Sequence, residues 1–211
     1  MPLRIYYTDE DHKILQFVEE YGSITIKQCQ NMFYNRQDKG YEMARRHLAK
    51  LTNYGKLKMA VRDFNCGGRN VYYINKKLNF HNLLTLDYYS NLIKHGAKIV
   101  YFKQEQPWLN NKYFSDAYCC YIIGNKVIFD IIEVVRTKNI EVDKYIQIFN
   151  SNEAHDLSKY IYNQLGGENL ELFPHLIVID DVKHKKKLYI NDDIKVIQLN
   201  FNLDNFTNIF I

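Results

Sequence analysis

The sequence predicts a mixed α+β protein with two domains, the first built from three helices and a β-hairpin and the second an α/β domain. Apolar side chains recur at helical spacing in three segments between residues 8 and 54. Two strand-like segments follow, joined by a glycine-rich turn. Strand and helix patterns then alternate, which favours a sheet with helices on its faces. With 211 residues, the chain is long enough to bury two cores.

The first two helices are predicted from their ends and their spacing. Thr8 can cap a helix, the three acids at positions 9–11 suit the positive end of its dipole, and Gly22 ends it. Residues 23–26 are expected to be a short link. A second helix is predicted over 26–34, with Cys29 on its inner face.

The third helix, predicted over residues 41–54, has two contrasting faces. Ala44, Leu48 and Leu51 form an apolar stripe that we expect to be buried. The opposite face carries Tyr41, Glu42, Arg45, Arg46, Ala49, Lys50 and Asn53. Arg, Lys and Asn can contact base edges and phosphates in a major groove. A solvated basic face on an ordinary helix would show the same pattern.

A hairpin is predicted after this helix. Residues 56–61 and 71–74 are strand-like, and the tip at 62–70 contains Gly67, Gly68 and Arg69. Three helices followed by a basic hairpin is the order of a winged helix-turn-helix. Arg62 and Arg69 would then lie on the wing and contact phosphates. Winged helices also act as protein-interaction modules, and that alternative stays open.

We therefore predict an N-terminal winged helix-turn-helix that binds double-stranded DNA. The predicted contact residues are Tyr41, Arg45, Arg46, Lys50, Asn53, Arg62 and Arg69. Charge supports this prediction, because residues 1–82 carry 14 Lys and Arg against 8 Asp and Glu, a net charge of +6. Residues 83–211 carry 14 against 16, a net charge of −2.

The domain boundary is placed at 80/81, giving domains 1–80 and 81–211. Asn82 can cap a helix over 83–95. In many winged-helix proteins a helix at this place packs against a second copy, so a homodimer is expected, but the helix could equally begin the second domain. The second domain should contain strands over 98–102, 114–123, 126–136, 176–179 and 194–199, and helices over 140–150 and 155–165. A loop is expected at 107–112, a tight turn at 124–125 and a short helix at 203–211.

Two carboxylates in this domain resemble a catalytic pattern. Asp116 on one strand and Glu133 on its partner resemble the acids of the PD-(D/E)xK nuclease core, which hold a divalent metal. The resemblance requires lysine at Val135, and Ser115 replaces the usual proline. Lys138 or Lys144 could supply a migrated lysine. Asp116 and Glu133 alone would bind Mg²⁺ weakly. An inactive nuclease-like scaffold is therefore expected, with an active nuclease or an unrelated α/β domain as alternatives.

The whole pattern resembles the replication-relaxation family of plasmid and conjugative-element proteins. The N-terminal match comprises DHKILQFVEEYGSITIKQCQNMF, ARRHLAKLTNYGKL and VYYINK, and the C-terminal match is FSDAYCCYIIGNKVIFDIIEVVR followed by a helix with Lys144 and Tyr145. It covers about residues 8–150. The resemblance implies a winged helix, a restriction-endonuclease-like domain that usually lacks a full catalytic set, and an accessory role in replication, relaxation or transfer.

Other features narrow the functional classes. The four cysteines lack metal-ligand spacing, so free thiols and no cofactor are expected. No long apolar run or leader pattern occurs, so a cytoplasmic protein without membrane contact is expected. We predict a sequence-specific DNA-binding protein of a mobile element that is not an enzyme and that has other replication or transfer proteins as further partners. A metal-dependent endonuclease and a transcriptional regulator with a ligand-sensing second domain are the alternatives.

Overall fold

The computed structural model describes residues 6–136, 140–167, 174–181, 188–190 and 193–210, apart from the side chain of Asn65. The fold is mixed α+β, and the described residues form six α-helices and two sheets. The chain divides into two compact units, Met1–His95 and Gly96–Ile211. This division falls after His95 rather than at the expected 80/81 boundary.

The first unit alternates helices with a small sheet. Its elements are α1 (Asp9–Tyr21), β1 (Ser23–Thr25), α2 (Ile26–Phe33), α3 (Gly40–Asn53), β2 (Lys58–Asp63), β3 (Arg69–Tyr73) and α4 (Phe80–Lys94). The sheet order is β1-β3-β2, and both pairings are antiparallel. The buried stripe of α3 is confirmed, because Ala44, Leu48 and Leu51 are fully buried.

Local hydrogen bonds explain where the helices begin. The Thr8 cap is confirmed: its hydroxyl accepts from the Asp11 amide, and the Asp11 carboxylate accepts from the Thr8 amide. Gly22 ends α1 with a φ of 88°, which favours glycine. The expected link after it is wrong, because Ser23–Thr25 pairs with β3 as a strand. Thr25 then caps α2 through the same reciprocal arrangement with Gln28.

Helix α4 belongs to the first unit. The sequence placed its cap at Asn82, but the Asn79 side chain accepts from the Asn82 amide at 2.9 Å, so the helix begins earlier. Gln28 of α2 donates to the Leu83 carbonyl at 3.0 Å and to the Asp87 carboxylate at 2.7 Å. Leu83, Leu84 and Leu86 are buried. Because of these contacts, the boundary between the two units lies after α4.

The second unit is built on a five-stranded sheet. Its elements are β4 (Lys98–Trp108), β5 (Tyr113–Ile123), β6 (Lys126–Val135), α5 (Val142–Asn150), α6 (Glu153–Gln164), β7 (His175–Asp180), β8 (Val196–Asn200) and a 3-10 helix (Phe206–Phe210). The strand order follows the chain, β4-β5-β6-β7-β8. Strands β4, β5 and β6 are antiparallel neighbours, and β6, β7 and β8 are parallel neighbours.

The core of this unit lies between the sheet and helices α5 and α6. Tyr118 and Ile131 of the central strands pack with Tyr145, Ile148 and other buried side chains in one cluster. The expected loop at 107–112 is shorter, because β4 continues through Trp108 and only residues 109–112 form the turn. Trp108 is buried and donates to the Ser115 hydroxyl at 3.0 Å.

The four cysteines are all buried and none is in a disulfide, as expected from their spacing. Within the part of the chain that the structure describes, no helix combines the length and apolar character needed to cross a membrane.

Candidate nucleic-acid interface and carboxylate cluster

The outer face of α3 exposes most of the predicted contact residues. Tyr41 is 51% exposed, and the Arg45 and Arg46 side chains are 52% and 72% exposed. Asn53 is also exposed. Because the opposite side of the helix is fully buried, these side chains are held on one outward surface.

Glu42 lies between the two arginines. Its carboxylate accepts from Arg45 Nε and Nη2 at 2.8 and 2.7 Å and from Arg46 Nε at 3.0 Å. The hydrogen bonds from Arg45 and then Arg46 lower the pKa of Glu42 to about 2. A carboxylate that stays ionised therefore partly neutralises the arginine pair in the free protein.

Lys50 was predicted to contact DNA, but it forms an ion pair within the first unit. Its ammonium lies 2.5 Å from Asp11 Oδ2, and its side chain is only 28% exposed. His47 Nδ1 lies 2.7 Å from the other Asp11 oxygen. Burial acts to raise the pKa of Asp11, but the hydrogen bonds from Lys50, the Thr8 amide and His47 lower it overall. Lys50 thus fastens α3 to the start of α1.

Arg62 and Arg69 of the hairpin were both predicted to contact phosphates, but their surroundings differ. Arg62 is exposed, and its amide donates to Asn70 at 2.9 Å. Arg69 instead turns inward: its guanidinium lies 2.5 Å from Asp87 and donates to the Cys66 carbonyl at 3.0 Å. Burial raises the pKa of Asp87, and Arg69 opposes that rise. Arg69 therefore anchors the hairpin to α4, and Arg62 is the accessible cation.

A groove of about 290 Å³ lies between the start of α2, the start of α3 and the hairpin. It is lined by Thr25, Ile26, Lys27, Tyr41, Arg62, Gly68, Arg69 and Asn70. Lys27 was not predicted as a site residue, because only the folded chain brings α2 next to the hairpin. The two exposed cations among these lining residues, Lys27 and Arg62, can meet an anion here.

In the second unit, Asp116 and Glu133 occupy adjacent strands. Ala117 of β5 pairs with Ile132 of β6 as the last cross-strand pair. Asp116 directly precedes Ala117 and Glu133 directly follows Ile132, so the two acids lie just beyond that pair. Asp116 Oδ2 accepts from the Val134 amide at 2.6 Å. Burial, and secondarily the nearby Asp116 charge, raise the pKa of Glu133, while Lys144 and Tyr145 oppose that rise.

A lysine does reach Glu133. Lys144 of α5 places its ammonium 3.0 and 3.1 Å from the two Glu133 oxygens, and the Tyr145 hydroxyl donates to Oε2. Lys144 is only 8% exposed, so its contact with Glu133 is largely shielded from solvent. Val135, where lysine was required, is buried in the core cluster. Lys138 lies outside the described residues.

The donor chemistry of this cluster suits a hard cation. Mg²⁺ is usually bound through one or two carboxylates, with the remaining positions left for water and substrate phosphates. Asp116 and Glu133 are carboxylates of this kind, and both Glu133 oxygens accept hydrogen bonds from Lys144. Among the described residues, no group of three His, Cys, Asp or Glu side chains could hold a metal ion.

Comparison with protein-family models, with curated proteins and with solved structures finds no match for this chain. Function is therefore argued from the two sites themselves.

Proposed function

We propose that the first unit is a winged helix-turn-helix that binds double-stranded DNA, with α3 as the recognition helix and the β2–β3 hairpin as the wing. The observation that carries this proposal is the pair of arginines on α3, which stand 52% and 72% exposed above a fully buried stripe. Such donors can hydrogen-bond to guanine edges and phosphates.

The groove beside α3 supports the same assignment. Lys27 and Arg62 lie on its two sides, where they would contact the DNA backbone, while Arg45 and Arg46 would reach the bases. The net charge of +6 on residues 1–82 adds long-range attraction. Affinity should therefore fall as salt rises.

The test is DNA binding by an Arg45→Ala, Arg46→Ala variant, measured on DNA flanking the gene. Loss of one base-reading arginine removes about 1–3 kcal/mol, so we expect affinity to fall at least tenfold and sequence preference to relax. A Lys126→Ala, Lys159→Ala variant removes the same charge from exposed sites in the second unit. Equal binding by the arginine variant and this control would contradict the proposal.

The resemblance to the replication-relaxation family supports the biological role that we propose, an accessory of plasmid or mobile-element replication, relaxation or transfer. We also propose that the protein acts as a homodimer. A footprint over the element's origin would test this role. Protection of inverted half-sites is expected for a two-fold dimer, and protection of a single unpaired site would contradict it.

One observation favours a second candidate function, a metal-dependent nuclease in the second unit. The argument against it rested on Val135, and Lys144, which contacts Glu133, is a candidate for the missing lysine. Asp116 and Glu133 would hold the metal, which supplies a polarised phosphate and an activated water. Lys144 would offset negative charge on the phosphate.

Incubation of supercoiled plasmid with Mg²⁺ or Mn²⁺ distinguishes the two candidates. Nicking that disappears in Lys144→Met and in Glu133→Gln, with DNA binding retained, would assign a nuclease. An intact plasmid would support the non-catalytic scaffold. Lys159→Met is the matched control, because this exposed lysine lies on the other helix.

A further inference from the structure

We infer that Phe64, at the tip of the β2–β3 hairpin, is a wedge that inserts between stacked base pairs of the bound duplex. The inference rests on the proposed function and adds to it: the protein would deform its DNA as well as hold it. Phe64 is 90% exposed, a larger fraction than any other large hydrophobic side chain in the described residues.

The tip is built so that this ring points outward. A 3-10 turn spans Phe64–Cys66, and its far end is fixed because Cys66 is fully buried against Val71 and Leu83. Cys66 lies inside, and Phe64 at the other end of the turn is exposed. The exposed ring therefore stands on a turn that is anchored at one end.

Hydrogen bonds and glycines hold the tip in shape. The Gly67 amide donates to the Phe64 carbonyl at 3.2 Å, and the Gly68 amide donates to the Asp63 carbonyl at 2.8 Å. Gly67 and Gly68 have φ values of 69° and 70°, a region that other residues rarely adopt. A side chain at Gly67 would also press on the Phe80 ring, whose nearest atom lies 3.1 Å from an added Cβ. A preorganised tip loses little freedom on binding.

The charges on this hairpin favour duplex DNA as the occupant. Exposed Arg62 lies two residues before Phe64, and exposed Lys58 lies at the other end of the same strand, where both can meet phosphates. Asp63 is the acid nearest the ring in sequence, and it forms an ion pair with Lys77, which reduces its repulsion of phosphate. An exposed apolar ring with a cation beside it matches the side chains that unstack base steps from the minor groove.

The experiment uses the full chain and a duplex carrying 2-aminopurine at successive positions of the footprint. Wild-type protein should raise 2-aminopurine fluorescence at one step in each half-site, because unstacking relieves quenching. Phe64→Ala should abolish that rise and weaken binding about tenfold, as expected when one stacking contact is lost. Tyr160→Ala, at a 63% exposed aromatic residue of α6, should change neither.

A Phe64→Trp variant provides a second measurement. Indole stacking should quench its emission when DNA is added, whereas the single native tryptophan, Trp108, is buried and should not respond. Wild-type binding by Phe64→Ala with unchanged 2-aminopurine signal would overturn the wedge and leave DNA binding intact. Conversion of a dimer to a monomer by Phe64→Ala would also overturn it, since the tip would then be a self-association surface. Failure of the wild type to bind any duplex would overturn the DNA-binding proposal itself.

Discussion

Glu42 occupies an unusual position for a carboxylate, at the centre of the surface that we propose meets DNA. It accepts hydrogen bonds from both Arg45 and Arg46, and it would lie near phosphates in a complex. The ion pairs hold the arginines in place, but the carboxylate also repels DNA. Its removal should therefore increase affinity.

We expect Glu42→Gln to bind DNA about threefold to tenfold more tightly at low salt, with a salt slope steeper by about 1, because one negative charge that faces the phosphates is removed. Titrations at several salt concentrations measure both quantities. Glu19→Gln removes an exposed acid of α1 and serves as the control. A weaker complex would mean that Glu42 is needed to orient the arginines.

Asp11 is a buried acid that the sequence analysis treated only as one of three acids suited to the positive end of the α1 dipole. It joins α1 to Lys50 and His47 of α3, and these contacts hold its pKa below the ordinary value of an aspartate. Its stabilising contribution is thus present above the pKa of the unfolded chain, near 4, and is lost as the pH falls through the folded-state pKa.

Asp11→Asn should lower the free energy of unfolding of the first unit by about 2 kcal/mol at pH 7, because Lys50 loses its partner. The difference from wild type should shrink as the pH falls below about 4. Urea unfolding at several pH values measures this, with Asp9→Asn as a control on the same turn. A difference that does not change with pH would show that the Asp11 charge is not responsible.

At the scale of elements, the hairpin combines an anchor with an accessible cation. Arg69 ties β3 to α4 through Asp87, and Arg62 remains exposed. Arg69→Ala should destabilise the first unit by about 2 kcal/mol, since it leaves Asp87 buried without its cation. Arg62→Ala should leave stability unchanged and reduce the salt slope of DNA binding by about 1.

Thermal unfolding and salt titration of both variants check this division of roles. A reduced salt slope in Arg69→Ala at unchanged stability would show instead that Arg69 leaves Asp87 to contact phosphate.

The sequence predicted the elements whose signals are local. Thr8 and Gly22 mark the ends of α1 through bonds to their own neighbours, and Gly124 marks the turn between β5 and β6. Prediction from the sequence failed where an element depends on a residue that is distant along the chain. Ser23–Thr25 becomes a strand only because β3 lies beside it, and a strand of this length carries no readable periodicity.

The same distinction applies to the candidate sites. The exposed face of α3 follows from helical spacing, so Arg45 and Arg46 were predictable. The inward direction of Arg69 depends on Asp87. The contact between Lys144 and Glu133 depends on how α5 packs on the sheet. Spacing along one chain segment cannot supply either of these partners.

At the scale of the whole molecule, the division after His95 predicts which fragment folds. Residues 1–95 retain α4, whose Leu83, Leu84 and Leu86 are buried in the first unit. We expect this fragment to unfold cooperatively and to bind DNA within about threefold of the full-length chain. Residues 1–80 lack the Asp87 and Leu83 contacts and should be largely unfolded.

Circular dichroism and DNA titration of the two fragments measure these outcomes. Folded, DNA-binding residues 1–80 would place α4 outside the minimal unit. A folded 1–95 fragment that does not bind would mean that the second unit or dimer formation supplies affinity.

The buried cysteines can serve as probes of local unfolding in each of the two units. Cys29 and Cys66 lie in the first unit, and Cys119 and Cys120 lie in the second. Burial raises the pKa of Cys29 and Cys119, and that of Cys120 to about 12, so these thiols remain protonated and hidden from alkylating reagents. Iodoacetamide should therefore modify each pair only when its unit opens. Peptide mass spectrometry after timed alkylation would then reveal which half of the chain loosens first, and whether bound DNA delays labelling of the first pair alone.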